Sequence, residues 1–169
     1  TGEVVWDFYT LDEINSTPAV DNDMVYFGSW NGYVYGLNAI TGDQVWRFRT
    51  EFLVDSSPLL HEGVLYIGSD DGHMYALDAA TGAEIWRFAA ADAVTASPAL
   101  EGQRLVFGSV DGFLYCVNLD GSLCWKHETG APLTGTPAIV DGVAYCKGAG
   151  RLYAVNLPAG IEPDVPPTG

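Results

Sequence analysis

Residues of the types that most often carry out chemistry are few in this sequence and widely spaced. None of the three cysteines, Cys116, Cys124 and Cys146, lies in a CxxC pair, so they predict neither a zinc site nor a disulfide framework. A hairpin turn at Asp120-Gly121 would bring Cys116 near Cys124, where one disulfide or two buried free thiols would fit. The three histidines stand at unrelated positions: His61, His73 and His127. We therefore predict no catalytic residue.

Two acidic segments resemble fragments of calcium-binding loops. They are Asp70-Asp71-Gly72-His73 and Asp21-Asn22-Asp23. An EF-hand loop needs oxygen ligands at alternate positions over about 12 residues and a closing glutamate, and neither segment has this pattern. Because tight hairpin turns favour Asp-Gly for backbone reasons alone, we interpret both segments as turns and predict no metal ligand.

The charge balance limits the possible partners. Seven Lys and Arg residues stand against 22 Asp and Glu residues, which gives a formal net charge of -15. A surface this negative repels phosphate backbones, so we predict no nucleic-acid partner. We also predict no membrane insertion, because no apolar run approaches the roughly 20 residues that a membrane helix requires. Cationic ligands and basic protein surfaces remain compatible with this charge.

A repeat of about 40 residues organises the whole chain. The segment YGLNAITGDQVWRF (residues 35–48) returns as YALDAATGAEIWRF (residues 75–88). Four tryptophans and four prolines keep the same steps of 40, 40 and 39 residues: Trp6, Trp46, Trp86, Trp125 and Pro18, Pro58, Pro98, Pro137. Two unrelated residue types with one period identify the repeat as the unit of the fold.

Each repeat reads as four short antiparallel strands. Glu84-Ile85-Trp86-Arg87-Phe88 alternates polar and apolar residues after a Thr-Gly turn, which is typical of a strand. Further strands follow at 104–109 and 113–118, each bounded by a glycine-containing turn. The recurring proline begins the first strand and so marks an edge. Small residues before each proline suit strands that converge on an axis, as in the blades of a β-propeller.

The frame Tyr75 to Trp86 resembles the repeat of the PQQ-like (quinoprotein-type) β-propellers. The resemblance implies an all-β propeller in which each tryptophan docks on a turn of a neighbouring repeat, by ring stacking and an indole hydrogen bond. By that resemblance the docking residues are Trp6, Trp46, Trp86 and Trp125, with Gly42, Gly82 and Gly121 in three of the turns. The fourth turn would be Thr1-Gly2 or Ala159-Gly160.

The resemblance places four repeats in residues 1–160, with outer tryptophan strands near 3–9, 43–49, 83–89 and 122–128. Residues 161–169 carry three prolines and are interpreted as a tail. The last set of inner strands, which ends at Asn156, lacks an outer strand, whereas the first outer strand precedes any set. Such offset ends predict that one blade is completed by both termini.

The blade shared by the two termini can be completed within one chain, which gives a ring of four blades, or between two chains. Residues that would fill the wedges between blades are small: Gly28, Gly36, Gly68, Ala76, Gly108 and Ala154. Because a ring of few blades needs bulky side chains there, we predict half of an eight-bladed ring closed as a homodimer by strand exchange. The alternative is that the chain is a segment of a longer propeller.

Variable connections between repeats are the predicted binding surface, since loops on a rigid scaffold usually carry function. Acidic and aromatic residues in and beside them form the candidate face: Asp12, Glu13, Trp30, Glu51, Phe52, Asp55 and Asp92. One apolar residue in each connection keeps the period and is predicted to be core: Ile14, Val54, Val94 and Leu133.

The predicted function is non-catalytic: a scaffold or sensor module, without a cofactor, that binds a protein or ligand through one loop face. Resemblance to scaffolding and receptor-type members implies an extracytoplasmic location, periplasmic or secreted. One alternative is a fragment of a PQQ- and calcium-dependent dehydrogenase. By the same resemblance, the alcohol-oxidising dehydrogenases of this kind need a pair of adjacent cysteines, which this sequence lacks. Another alternative is a self-assembling repeat module.

Overall fold

Four antiparallel sheets, called blades 1 to 4, follow one another along the chain in the computed structural model, which describes residues 2–158. Blades 1 and 2 contain β1 (Ala19–Asp21), β2 (Met24–Ser29), β3 (Tyr33–Asn38), β4 (Gln44–Arg49), β5 (Leu59–His61), β6 (Val64–Gly68), β7 (His73–Asp78) and β8 (Glu84–Ala89). Blades 3 and 4 contain β9 (Ala99–Glu101), β10 (Arg104–Gly108), β11 (Phe113–Asn118), β12 (Leu123–Glu128), β13 (Ala138–Val140), β14 (Val143–Gly148) and β15 (Arg151–Asn156).

The strands of each blade are hydrogen-bonded in chain order, as a meander whose first strand is an edge. The prediction of an all-β propeller of antiparallel repeats is therefore confirmed. Each recurring proline lies immediately before the first strand of its blade, where its missing N–H removes no hydrogen bond from the ladder. Between residues 2 and 158 no helix is long and apolar enough to cross a membrane.

The two ends of the chain differ from a complete repeat. Residues 3–9, predicted as the first outer strand, form no strand in the structure. The reason is that none of the strands β1 to β15 lies beside them to pair with. Blade 4 ends at β15 and has three strands instead of four, so β15 has no hydrogen-bonded neighbour on its outer side among the described residues. The predicted tail, 161–169, lies outside the described residues.

Three of the four tryptophans of the repeat make the same contact with the turn of the following blade. The indole N–H of Trp46 donates to the carbonyl of Ala79 at 2.9 Å, and its ring covers the following turn. Trp6 donates to Ala39 and Trp86 to Leu119 in the same way, at 2.9 and 2.8 Å. The same turns hold Gly42, Gly82 and Gly121 under the rings.

A glycine is required in these turns for two reasons. At Gly82 the φ angle is +72°, in the left-handed region that L side chains rarely adopt. A Cβ at this position would also stand 2.5 Å from the ring of Trp46. The turn sequence and the docking tryptophan of the preceding blade therefore depend on each other.

Trp125 is the member of the tryptophan series that lacks this contact. Its indole nitrogen is buried and has no hydrogen-bond partner among the described residues. The ring packs against the cluster between blades 3 and 4, which includes Cys116 and Cys146. Gly2 has a φ of +73° and has no heavy atom near its Cβ position. The other predicted partners of Trp125, Thr1 and Ala159-Gly160, lie outside the described residues.

Close packing between blades depends on a second glycine position. In each of three pairs a connection residue lies where a glycine Cβ would be: Val54 on Gly28, Val94 on Gly68 and Leu133 on Gly108. The separations from that Cβ position would be 2.3, 2.3 and 2.5 Å. Val54, Val94 and Leu133 are fully buried. The prediction that Ile14 is also core is wrong: it is 42% exposed, because no blade precedes blade 1 in the structure.

The first prediction tests the docking contact. Trp86→Ala should lower the free energy of unfolding by about 3 to 5 kcal/mol, as large aromatic truncations in cores do. Trp125→Ala is the matched control and should cost less, because its indole donates no hydrogen bond to any residue between 2 and 158. Urea unfolding of both variants measures the difference. Equal costs, or a change of a few tenths of a kcal/mol for Trp86→Ala, would contradict the assignment.

Candidate binding face

The connections between blades and the turns after β2, β6 and β10 lie at the same end of the blades. The amide of Trp30 donates to Glu13 at 2.9 Å, and the amide of Asp70 donates to Leu53 at 3.0 Å. Val110 repeats the contact in blade 3, with Ala93, at 2.9 Å. We call this end the loop face; it comprises connections 10–16, 50–56 and 90–96 and turns 29–32, 69–72 and 109–112. It contains all seven residues of the predicted face.

Buried aspartates hold the connections against the turns. The carboxylate of Asp71 accepts hydrogen bonds from the Glu51 amide at 2.9 Å, the His73 amide at 3.0 Å and the Tyr75 hydroxyl at 2.7 Å. Asp111 accepts the equivalent bonds in blade 3, from Ala91, Phe113 and Tyr115. Because the side chain of Asp71 is only 3% exposed, we interpret these two acids as loop anchors.

Asp70 borders a shallow groove of about 220 Å³ on the loop face. The groove is lined by Asp70, Asp71, Gly72, Ala90, Ala91, Asp92 and Ala93. Oδ1 of Asp70 is buried and has no hydrogen-bond partner among the described residues. Burial raises the pKa of Asp70 to about 6, and the negative charges of Asp55, Asp71 and Asp92 add to the shift. A cation in the groove would favour the ionised carboxylate.

Two aromatic side chains lie exposed on the loop face. Phe52 is 59% exposed and Trp30 is 37% exposed. The indole N–H of Trp30 donates to Oδ1 of Asp55 at 3.0 Å, which fixes the ring beside a carboxylate. Aromatic faces attract cations, so these rings extend the electrostatic preference of the surrounding acids.

The remaining acids of the predicted face are exposed at its surface. Asp12, Glu13, Glu51 and Asp92 all belong to the exposed class. Asp12 and Asp92 each accept a hydrogen bond from the next backbone amide, at 2.9 and 2.8 Å. These bonds stiffen the connections and leave the carboxylates at the surface. The face is therefore acidic, partly aromatic and supported by rigid sheets.

Sequence analysis missed Asp70 as a member of this face. The available signal was its repeat position, which holds Trp30 in blade 1 and Val110 in blade 3. A position that varies between otherwise similar repeats indicates a local role beyond the fold. The interpretation of 70–73 as a turn was correct for the backbone and said nothing about the burial of the carboxylate.

The cysteines and histidines do not assemble a chemical site. All three thiols are free in the structure; Cys116 and Cys146 are buried, whereas Cys124 is exposed and so is not the buried thiol that was expected. Burial, with a contribution from Cys124, raises the pKa of Cys116 to about 12, which disfavours the reactive thiolate. Nδ1 of His73 lies 3.1 Å from Asp71 within its own turn. Over residues 2–158 no three His, Cys, Asp or Glu side chains are grouped to hold a metal ion.

A family model described as outer membrane protein assembly factor BamB matches residues 1–91 and 70–162. The chain belongs to this family of PQQ-like repeats. The two overlapping matches cover almost all four repeats, so the resemblance noted in the sequence is confirmed. No curated protein sequence matches the chain.

Solved structures of propellers share the fold. BamB from Moraxella catarrhalis has a TM-score of 0.79 at 23% identity, over 92% of this chain and 50% of that one. The computationally designed Ika4 protein has a TM-score of 0.81 at 18% identity, over 93% and 99%. Quinohemoprotein alcohol dehydrogenase ADHIIG from Pseudomonas putida HK5 has a TM-score of 0.71 at 18% identity, over 80% of this chain and 28% of that one. At these identities the likeness is of fold alone, and this chain spans about half the length of the BamB structure.

The raised pKa of Asp70 predicts that this residue lowers the stability of the folded protein in a pH-dependent way. The folded protein keeps the Asp70 proton up to about pH 6, whereas the unfolded chain releases it near the ordinary aspartate pKa of 3.8. The folded state therefore loses stability, relative to the unfolded one, as the pH rises through this window. Asp70→Asn should raise the Tm at pH 8 by a few degrees and change it little at pH 4. An equal effect at both pH values would contradict this account.

Proposed function

We propose that the chain is a non-catalytic β-propeller module that binds a basic segment of a protein partner through its loop face. The observation that supports this most directly is the acidic groove at Asp70, on the same loop face as exposed Phe52 and Trp30. The scaffold beneath is rigid, because every connection is hydrogen-bonded to a turn. Variable loops on such a scaffold commonly carry binding.

The chemistry of the partner follows from the electrostatics. Lys or Arg side chains would neutralise the repulsion among Asp55, Asp70 and Asp92 and would stack on the open ring of Phe52. The net charge of -15 would also attract a basic partner from a distance, with an association rate that falls as salt rises. A basic segment therefore fits this face better than an acidic or purely apolar one.

Ring completion by a second copy is the structural part of the proposal. It is supported by the outer edge of β15 and by residues 3–9, neither of which pairs with another strand among the described residues. We place the module outside the cytoplasm, in the periplasm or secreted, because the matching family is described as an assembly factor for outer membrane proteins.

The dehydrogenase alternative is not favoured by the residues present. A site for quinone and calcium would need clustered oxygen ligands and, in alcohol-oxidising members, adjacent cysteines. The sequence contains no adjacent cysteines, and no cluster suited to a metal lies within residues 2–158. The likeness to ADHIIG is one of fold.

A labelled oligo-lysine peptide tests the binding face by fluorescence anisotropy. The wild-type chain should bind the peptide, with an affinity that falls as salt rises. Asp92→Asn and Phe52→Ala should each weaken binding about threefold to tenfold. Glu101→Gln is the matched control for charge, since Glu101 ends β9 at the opposite end of its blade. If Glu101→Gln and Asp92→Asn weaken binding equally, the attraction is general and the proposed face is wrong.

A further inference from the structure

Residues 3–9 have the sequence of an outer strand but pair with no strand, and β15 is a third strand with no outer strand beside it among the described residues. Gly2, before this segment, has a φ of +73°, close to the +77° of Gly42 before β4. Val4 and Val5 are 80% and 84% exposed, although their sequence pattern is that of a strand. Residues 3–9 thus have the features of the outer strand that β15 lacks.

The other three blades share one register between their third and outer strands. Gly36, Ala76 and Cys116 each stand opposite the tryptophan of the outer strand. Three residues earlier on the third strand, Tyr33 stands opposite Arg49, and equivalent pairs occur in blades 2 and 3. Transferred to blade 4, this register places Ala154 opposite Trp6, Tyr153 opposite Asp7 and Arg151 opposite Tyr9.

Blades 1 and 3 share a cation–aromatic contact between the start of the third strand and the outer strand. The third strand supplies an aromatic ring and the outer strand supplies a cation. The guanidinium carbon of Arg47 lies 4.6 Å from the centre of the Tyr33 ring, and that of Arg49 lies at 5.2 Å. Nζ of Lys126 lies 4.5 Å from the ring centre of Phe113. The cations at 47 and 126 reach the ring diagonally across the two strands.

In blade 4 the two roles are exchanged. Arg151 stands on the third strand where Tyr33 and Phe113 stand in blades 1 and 3. Residues 3–9 carry Asp7 at the position of Arg47 and Lys126, and Tyr9 at the position of Arg49. The cation is thus on the third strand, and the acid and the aromatic ring are on the outer segment. The segment is complementary to β15 at the positions where the other outer strands would present positive charge.

We propose that residues 3–9 of one copy pair with β15 of a second copy in this register, with Arg151 bound between Asp7 and Tyr9. The proposal rests on the ring completion proposed above and adds to it the register and the residues that select the partner. Each ring would contain the contact twice, related by a twofold axis.

A second copy is favoured over the chain's own segment by the position of residues 2–9. Trp6 is bonded to Ala39, and Phe8 packs against Phe27 and Tyr35, so the segment is already held on blade 1. Blade 4 lies three blades further along the array, and no pairing joins β15 to residues 2–9. The packing of the three blade interfaces thus leaves the two edges unpaired within one chain.

The closing interface must differ from the other three in one respect. Lys147 occupies the position of Gly28, Gly68 and Gly108, opposite Leu152 as Gly108 is opposite Leu114. In the interface between blades 1 and 2, a Cβ added at Gly28 would stand only 2.3 Å from the side chain of Val54. Ile14 of the second copy cannot approach Lys147 as closely as its equivalents approach glycine. Strand pairing must therefore carry more of this interface than face packing does.

Charge exchange between the two segments tests the register. Asp7→Lys restores the cation of the other outer strands but places it against Arg151, and Arg151→Glu places an acid against Asp7. Each variant should raise the dimer dissociation constant at least about tenfold, because both contacts of the ring become repulsive. An equimolar mixture of the two variants should recover dimers, since one contact is then Asp7 with Arg151 and the other is Lys with Glu. Sedimentation across a dilution series measures all three.

Glu3→Lys is the matched control, with the same charge change in the same segment but away from Arg151. If Glu3→Lys weakens the wild-type dimer as much as Asp7→Lys does, or if the mixture fails to recover dimers, the register is wrong while the dimer stands. If the wild-type chain sediments as a single chain at every concentration, ring completion by a second copy is wrong and the register falls with it. Species larger than a dimer would indicate open assembly and would overturn the closed ring.

Discussion

The docking of an indole onto the glycine turn of the next blade is the contact on which this structure depends. A blade of four short strands has a small core of its own, and its stability comes from the faces that it shares with its neighbours. The hydrogen bond from Trp46 to Ala79 and the fit of the ring over Gly82 set the relation between two blades. Repeating that relation along the chain produces the array.

The same contact shows which neighbours are missing at the first and last blades. Trp125 is buried without a hydrogen-bond partner among the described residues, and Ile14 is exposed where its equivalents are fully buried. Each marks a neighbour that an array of four blades does not supply. Binding on the loop face and closure of the ring are connected, because closure would extend the acidic surface around a common axis.

The interior of the array was predictable from the sequence, and its edges were predictable only in the missing outer strand of blade 4. The tryptophan and proline periods predicted the sheets because each residue type has a fixed place in a blade: docking for Trp86, a strand start for Pro98. Periodicity could not predict that Ile14 is exposed or that residues 3–9 form no strand, since both depend on a neighbouring blade that residues 2–158 do not supply. The buried Oδ1 of Asp70 was missed because burial in a turn depends on the adjacent connection.

Amide hydrogen exchange of residues 151–156, measured by mass spectrometry over a range of protein concentrations, tests the closure of the ring most directly. The account predicts slow exchange in β15 when copies associate and fast exchange on dilution, while β3, β7 and β11 stay protected throughout. Exchange in β15 that is fast at every concentration would show that the edge is never paired. Slow exchange that does not respond to dilution would show that the chain closes on itself. Either result would contradict ring completion by a second copy.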